Sequence, residues 1–193
     1  MTITPLSLLE RLRSSPDEDS WRRLVSLYSP WLQRVLRQAG IPETDADDLR
    51  QEVLAVLFQE MPDFEHNGHP GAFRRWMRNI VINRVRRYWR SRRTAAVRQP
   101  GDVSWDSFDD RAAGLEEYWD REHDRYLIEE LFKLVEASVS RSTWLAFRRQ
   151  AVDGERASAV ASELGISVNA ALLAKSRVLA RLRSEGRLLL DNV

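Results

Sequence analysis

The stretch FRRWMRNIVINRVRRYWRSRRT, residues 73–94, contains nine arginines (positions 74, 75, 78, 84, 86, 87, 90, 92 and 93), no acid, two tryptophans and a tyrosine. At a helical period Phe73, Met77, Val81, Val85 and Tyr88 share one apolar stripe, while Arg75, Asn79, Asn83, Arg86 and Arg90 fall on the opposite side. The pattern predicts a helix that buries one face and offers the other as a cationic, hydrogen-bonding, partly aromatic surface. Arginine releases counterions from a phosphate backbone and rings give stacking platforms to unpaired bases, so an opened nucleic acid strand suits this surface best. The competing reading is a solvated charged face, which would normally mix signs along the helix.

Around this stretch the chain reads as helices closed by breakers. Leu6 to Arg13, about Asp19 to Gln38, Asp45 to Glu60 and about Gly71 to Arg93 are separated by Pro16, by Gly40-Ile41-Pro42, and by Pro62 with Gly68-His69-Pro70-Gly71. Strand-like alternation is missing, and no internal repeat appears. From Ala95 to about Leu115 periodicity fails and acids accumulate: residues 102–124 hold nine acids against Arg111 and Arg121. Further helices are predicted at about Tyr118 to Ala137, Ser142 to Val152, Glu155 to Leu164 and Val168 to Glu185. The expectation is an all-α chain of two small helical domains, residues 1–95 and 118–193, joined by an acidic linker over 96–117.

The last two helices carry a recognisable device. In SAVASELGISVNAALLAKSRVLARLR, a short helix packing through Val160, Ala161 and Leu164 meets Gly165, which can take the left-handed conformation of a tight turn. Ser167 then caps the next helix through its hydroxyl. This is helix-turn-helix spacing, with Val168 to Arg183 as the helix expected in a DNA major groove. An ordinary helical hairpin uses the same turn, and Lys175, Arg177, Arg181 and Arg183 favour the DNA reading.

A third constellation is DADDLRQEV, residues 45–53. Thr44 is read as the N-cap with Asp47 three residues on, so the early acids partly serve helix initiation. Leu49, Val53, Val56 and Leu57 make a buried stripe, leaving Asp48, Glu52 and Gln59 as an outer row that is either solvated or meets a basic partner.

Composition narrows the class. Of 193 residues 31% are charged, yet the formal net charge is +1, so the local basicity of residues 74–93 is balanced by acid elsewhere. There is no cysteine, which excludes disulfides, thiolate chemistry and cysteine-based zinc sites. No apolar run approaches the ~20 residues that span a bilayer, and the N-terminus lacks a basic start followed by a long apolar region, so a cytoplasmic protein without a membrane association is expected. His66 and His69 with Asp63 or Glu65 invite a metal reading, but two histidines beside Gly and Pro make a polar turn more readily, and no metal or other cofactor is expected. A nucleic-acid enzyme built on Asp45, Asp47, Asp48, Glu52 or the two histidines would need acids converging on a metal, and it is disfavoured because the first three acids are neighbours at i+1 and i+2 that point apart on a helix.

DADDLRQEVLAVLF followed by GAFRRWMRNIVINRVRRYWRSRR resembles region two of bacterial RNA polymerase sigma factors, and WLAFRRQAVDG with ASAVASELGISVNAALLAKSRVLARLR resembles region four. Two such regions and a short linker are similar to the extracytoplasmic-function group. The resemblance implies a non-catalytic subunit that binds core RNA polymerase, recognises the minus-35 and minus-ten promoter elements and promotes melting of the duplex. It implies that Asp48, Gln51 and Glu52 dock on the polymerase. It places Trp76, Asn79, Ile80, Asn83, Arg86, Arg87 and Arg90 beside the melted minus-ten element. The loop with Glu65, His66, Asn67 and His69 lies where relatives pocket a flipped base. It also implies that Asn169, Lys175, Ser176, Arg177, Arg181 and Arg183 meet the minus-35 duplex. Core polymerase, promoter DNA and an anti-sigma factor are the implied partners, and any regulatory domain is expected to be absent or to lie on another chain. Two departures stand out: Arg86 replaces an acid common in relatives, and Ala171-Leu172-Leu173-Ala174 replaces basic or hydroxyl side chains early in the recognition helix. The alternative is a stand-alone helix-turn-helix regulator, for which the arginine-rich helix and DADDLRQEV would lack a purpose.

Overall fold

A computed structural model describes residues 8–14, 17–65, 71–96 and 107–189. Among them all regular structure is helical, as expected: α1 (Leu8–Ser14), α2 (Glu18–Gln38), α3 (Glu43–Glu60), a 3-10 turn (Met61–Asp63), α4 (Ala72–Ala96), α5 (Ser107–Glu136), α6 (Arg141–Ala151), α7 (Ala157–Leu164) and α8 (Val168–Leu189). The chain divides into two compact units, the first ending at Tyr126 and the second beginning at Leu127.

In the first unit, α2 begins on Asp17, whose carboxylate accepts from the Ser20 amide at 2.7 Å, from the Ser20 hydroxyl at 2.9 Å and from Arg11 at 3.1 Å. The capping reading of Thr44 does not hold. Helix α3 starts two residues earlier, capped by Pro42 with no side-chain cap bond, and the Thr44 hydroxyl turns to Asp45. The physical reason is that the early acids have partners elsewhere: Glu43 accepts from Arg37 and Gln33, and Asp45 from Tyr88 and Arg92. Pro42 has φ −58° and ψ 147°, the non-helical conformation of an N-cap residue with the φ that the proline ring imposes.

The domain boundaries also differ from the sequence reading. Residues 107–117, read as linker, form the first turns of α5, and α5 up to Tyr126 belongs to the first unit. The cause is an apolar period concealed among acids: Leu115, Trp119, His123 and Tyr126 recur at intervals of four, four and three, and all are buried. Residues 97–106 of the expected linker lie outside the described residues.

Trp31 of α2 is the hub of this packing. Its indole lies 5.4 Å from the Trp119 ring, 5.6 Å from His123, 5.2 Å from Tyr126 and 5.9 Å from Tyr118. The Tyr126 hydroxyl donates to the Leu27 carbonyl at 2.7 Å, and Arg34 lies over the Tyr126 ring. Beside this apolar seam runs a ladder of ion pairs to α4. Asp124 accepts from Arg74 at 2.7 Å, Asp120 from Arg78 at 2.6 Å, and Glu116 lies 3.6 Å from Arg86. Acids ascend by four along α5 while arginines descend along α4, so the two helices run antiparallel. The acids are largely exposed, so each pair contributes only ~0.2–1 kcal/mol. The rings dominate: replacing Trp119 by Ala would cost ~3–5 kcal/mol.

The second unit packs Leu131, Val135, Trp144, Phe147 and Val178 into one cluster and Ala146, Val160 and Ala174 into another. Arg149 on α6 clasps Glu155 through two bonds, 2.7 and 2.5 Å long, and reaches Glu163 on α7 at 2.8 Å. The buried Gln150 amide donates to Ala146 O at 2.7 Å and to Ala171 O at 2.9 Å, tying α6 to α8.

Two outcomes follow from the first unit. Burial pushes the His123 imidazole down to about 4, against the pull of Asp124 beside it, and its Nε2 has no partner. The unfolded chain, with an ordinary imidazole near 6.5, takes up the proton first, so stability falls as pH drops from about 6.5 toward 4. Asp17 and Glu43, both held at about 2 by their hydrogen bonds (to Ser20, and to Arg37 and Gln33), add losses only below about 4.5. Thermal unfolding of the full chain should therefore weaken between pH 6.5 and 4.5. His123→Phe should flatten that window, and an equal slope in the variant would contradict the assignment. Separately, Asp120→Lys with Asp124→Lys should loosen the seam by about 1–2 kcal/mol. Hydrogen exchange should rise over residues 115–126 and stay unchanged over 141–164.

Candidate nucleic-acid interface

Helix α4 starts after Gly71, whose φ of +76° disfavours any residue with a Cβ. Phe73, Met77, Val81 and Val85 are buried as the sequence pattern requires. Tyr88, half-buried, closes the stripe: its hydroxyl donates to Asp45 at 2.5 Å, and Arg92 pairs with the same carboxylate. The Tyr88 hydroxyl bond, assisted by Arg92, holds the Asp45 carboxyl below its ordinary range, while burial and that bond push the Tyr88 phenol up to about 12. The start of α3 is thereby fixed against the last turns of α4.

The opposite face carries Arg75, Asn79, Asn83, Arg86, Arg87 and Arg90, all exposed. From Arg75 to Arg90 the row runs about 22 Å along the helix axis. Among the described residues, Arg86 alone of these four arginines meets an acid, Glu116. Arg74, Arg78 and Arg84 turn instead to Asp124, Asp120 and Glu52, the last at 3.9 Å. The nine arginines are thus divided between structural pairs and an open cationic row.

Two expected members behave differently. Ile80 is only 8% exposed and packs with the core face, three positions beyond Met77, so it drops out of the interface. Trp76 is half-buried, its ring 4.9 Å from Phe64 and 5.6 Å from Phe73, which leaves one edge of the indole outward. Glu65 is exposed and lines a cleft of about 630 Å³ together with Arg13, Pro62, Asp63 and Phe64. His66, Asn67 and His69 lie outside the described residues.

On α3, Asp48, Gln51 and Glu52 are exposed together, one face away from buried Leu49 and Val53. The sequence reading missed Phe58, which stands out of phase with that buried stripe, is 55% exposed and meets Trp21 edge-on at 5.0 Å. Its phase was the available signal.

In the second unit the expected turn is present. Gly165 is left-handed at φ 65°, and the Ser167 hydroxyl accepts from the Ala170 amide at 3.1 Å. Ala171, Ala174 and Val178 hold α8 to its neighbours. Asn169, Ser176, Arg177, Arg181 and Arg183 are exposed, and Lys175 is half-buried. Among the described residues no single helix is long and apolar enough to cross a membrane.

Residues 24–94 match the family described as Sigma-70 region 2. The chain is similar to the RNA polymerase sigma factor CnrH of Cupriavidus metallidurans, with 30% identity over 86 residues, 45% of this chain and 44% of that protein. It is similar also to the RNA polymerase sigma factor NccH of Alcaligenes xylosoxydans xylosoxydans, with 28% identity over 78 residues, 40% of each chain. Each match spans less than half the length of the relative. A solved structure of CnrH in complex with the cytosolic domain of CnrY aligns with a TM-score of 0.38 at 22% identity, covering 92% of this chain and 94% of that one. The matched family covers α4 and α3 with most of α2, the helices that build the cationic row and the acidic face, and over that segment the chain is similar to RNA polymerase sigma factors.

Proposed function

We propose that the chain is a promoter-recognition subunit of RNA polymerase: it binds core enzyme, contacts a minus-ten and a minus-35 element and assists strand opening without catalysing a reaction itself. The single observation that carries this reading is the open row of Arg75, Asn79, Asn83, Arg87 and Arg90 on α4. Amides on such a row can pair with the edges of unstacked bases, and arginines on either side neutralise phosphate. The edge of Trp76 and the cleft beside Glu65 supply a ring and a recess where an extracted base fits.

The acidic face of α3, with Asp48, Gln51 and Glu52, is the proposed polymerase contact, and exposed Phe58 adds an apolar anchor on the same helix. Helix α8 is the proposed reader of duplex DNA upstream, with Arg177 on a base edge and Arg181 and Arg183 on phosphates. This role places the chain in the cytoplasm, and the family reading adds an anti-sigma factor as a further partner.

Co-purification with core polymerase separates this reading from a stand-alone DNA-binding regulator. Asp48→Arg with Glu52→Arg should weaken co-migration with core enzyme by ten-fold or more while helicity stays unchanged, since juxtaposed like charges disfavour association by several kcal/mol. Undiminished co-migration would remove the α3 assignment. Asn83→Ala should reduce open-complex formation, seen as permanganate reactivity of the melted strand, more than it reduces polymerase binding. A footprint identical to wild type would count against the α4 row.

A further inference from the structure

Seven large apolar side chains stand exposed among the described residues, and three of them crowd the first two turns of α8: Val168 at 46%, Leu172 at 51% and Leu173 at 44%. Helix α8 does not need them for its core, because Ala171, Ala174 and Val178 already fill the buried face. They share the outer face with Asn169 and Ser176, at positions 169, 172, 173 and 176, which is one continuous helical row. A cluster of exposed leucines is unfavourable in water and marks a contact surface.

The same row states what covers it. Beyond Ser176 it runs into exposed Arg177, Arg181 and Arg183, and α8 carries no acid before Glu185. An apolar protein groove would have to accept that run of cations at its edge. The major groove of duplex DNA offers phosphates for the arginines and, among the base edges, one apolar group: the 5-methyl of thymine. A helix after a tight turn enters that groove with its N-terminal residues on base edges, which is where Val168, Leu172 and Leu173 stand. The apolar tetrad Ala171-Leu172-Leu173-Ala174 is therefore divided, with its alanines in the core and its leucines facing outward.

We propose that Leu172 and Leu173 are specificity-determining residues that read thymine methyl groups in the upstream duplex. The inference rests on the assignment of α8 as a DNA reader and narrows it to thymines, with Asn169 and Ser176 flanking them.

The test uses the full chain with core polymerase. Selection from a random upstream library first defines the duplex preferred by wild type, and each thymine in it is then replaced by deoxyuridine, which removes the 5-methyl and keeps the base pair. At one or two thymines wild type should bind the deoxyuridine duplex three- to fivefold more weakly, the worth of one apolar methyl contact. Leu172→Ala or Leu173→Ala should bind thymine and deoxyuridine duplexes equally at those positions. Both substitutions are exposed and favour helix, so circular dichroism should match wild type. Insensitivity of wild type to every deoxyuridine, or the same deoxyuridine penalty in wild type and both variants, overturns the proposal while leaving α8 a DNA reader. Variants that keep the deoxyuridine penalty and lose co-purification with core polymerase make the patch a protein contact and overturn it as well. If wild type enriches no upstream sequence, the assignment of α8 itself fails, and this inference with it.

Discussion

The first unit depends on one packing event, the seating of α5 against Trp31. Four rings, Tyr118, Trp119, His123 and Tyr126, meet around that indole, and Tyr28 joins them by stacking on His123. Trp31 Nε1, Trp119 Nε1 and His123 Nε2 are buried there without partners and oppose the cluster, so ring contact and burial hold it, with the Tyr126 bond to Leu27 in support. The ladder of Asp124, Asp120 and Glu116 adds direction more than energy: it sets which arginines of α4 turn inward.

That division of arginines is the link between packing and function. Had α5 been an unpaired linker, Arg74, Arg78 and Arg86 would lose their acids and join the exposed cations of α4. With Arg74, Arg78 and Arg84 drawn to Asp124, Asp120 and Glu52, the outward row is reduced to two amides, Asn79 and Asn83, flanked by guanidinium groups. Mixed donors and acceptors discriminate between bases, whereas a uniform cationic surface would grip any polyanion equally.

Much of this was legible from spacing alone. The apolar stripe of α4, the outward set from Arg75 to Arg90, the Gly165 turn and the Ser167 cap depend on local periods and on single-residue conformational preferences, and these survive folding. What sequence could not supply were interactions between segments far apart. Thr44 lost its capping role because Asp45 is drawn to Tyr88 and Arg92, over forty residues away. The start of α5 was hidden because its buried positions alternate with acids whose partners lie on another helix. Ile80 was assigned outward by resemblance, yet its phase, three residues past Met77, already placed it with the core. His66, Asn67 and His69 lie outside the described residues, so the loop keeps its expected role only as a proposal.

Seating α5 on Trp31 also bears on how the protein comes off the ribosome. The helices that carry the cationic row are complete once residue 96 has been made, but the rings that close over Trp31 are encoded at positions 118–126. A nascent chain halted before Tyr126 presents an open indole and unneutralised Arg74 and Arg78, features suited to a chaperone and to unspecific capture by nucleic acid. Domains fold as units during synthesis, N-terminal first, and for this chain the first such unit is finished only after the acidic segment has been translated. The segment that resembles a mere connector is in this sense the last stitch of the first unit.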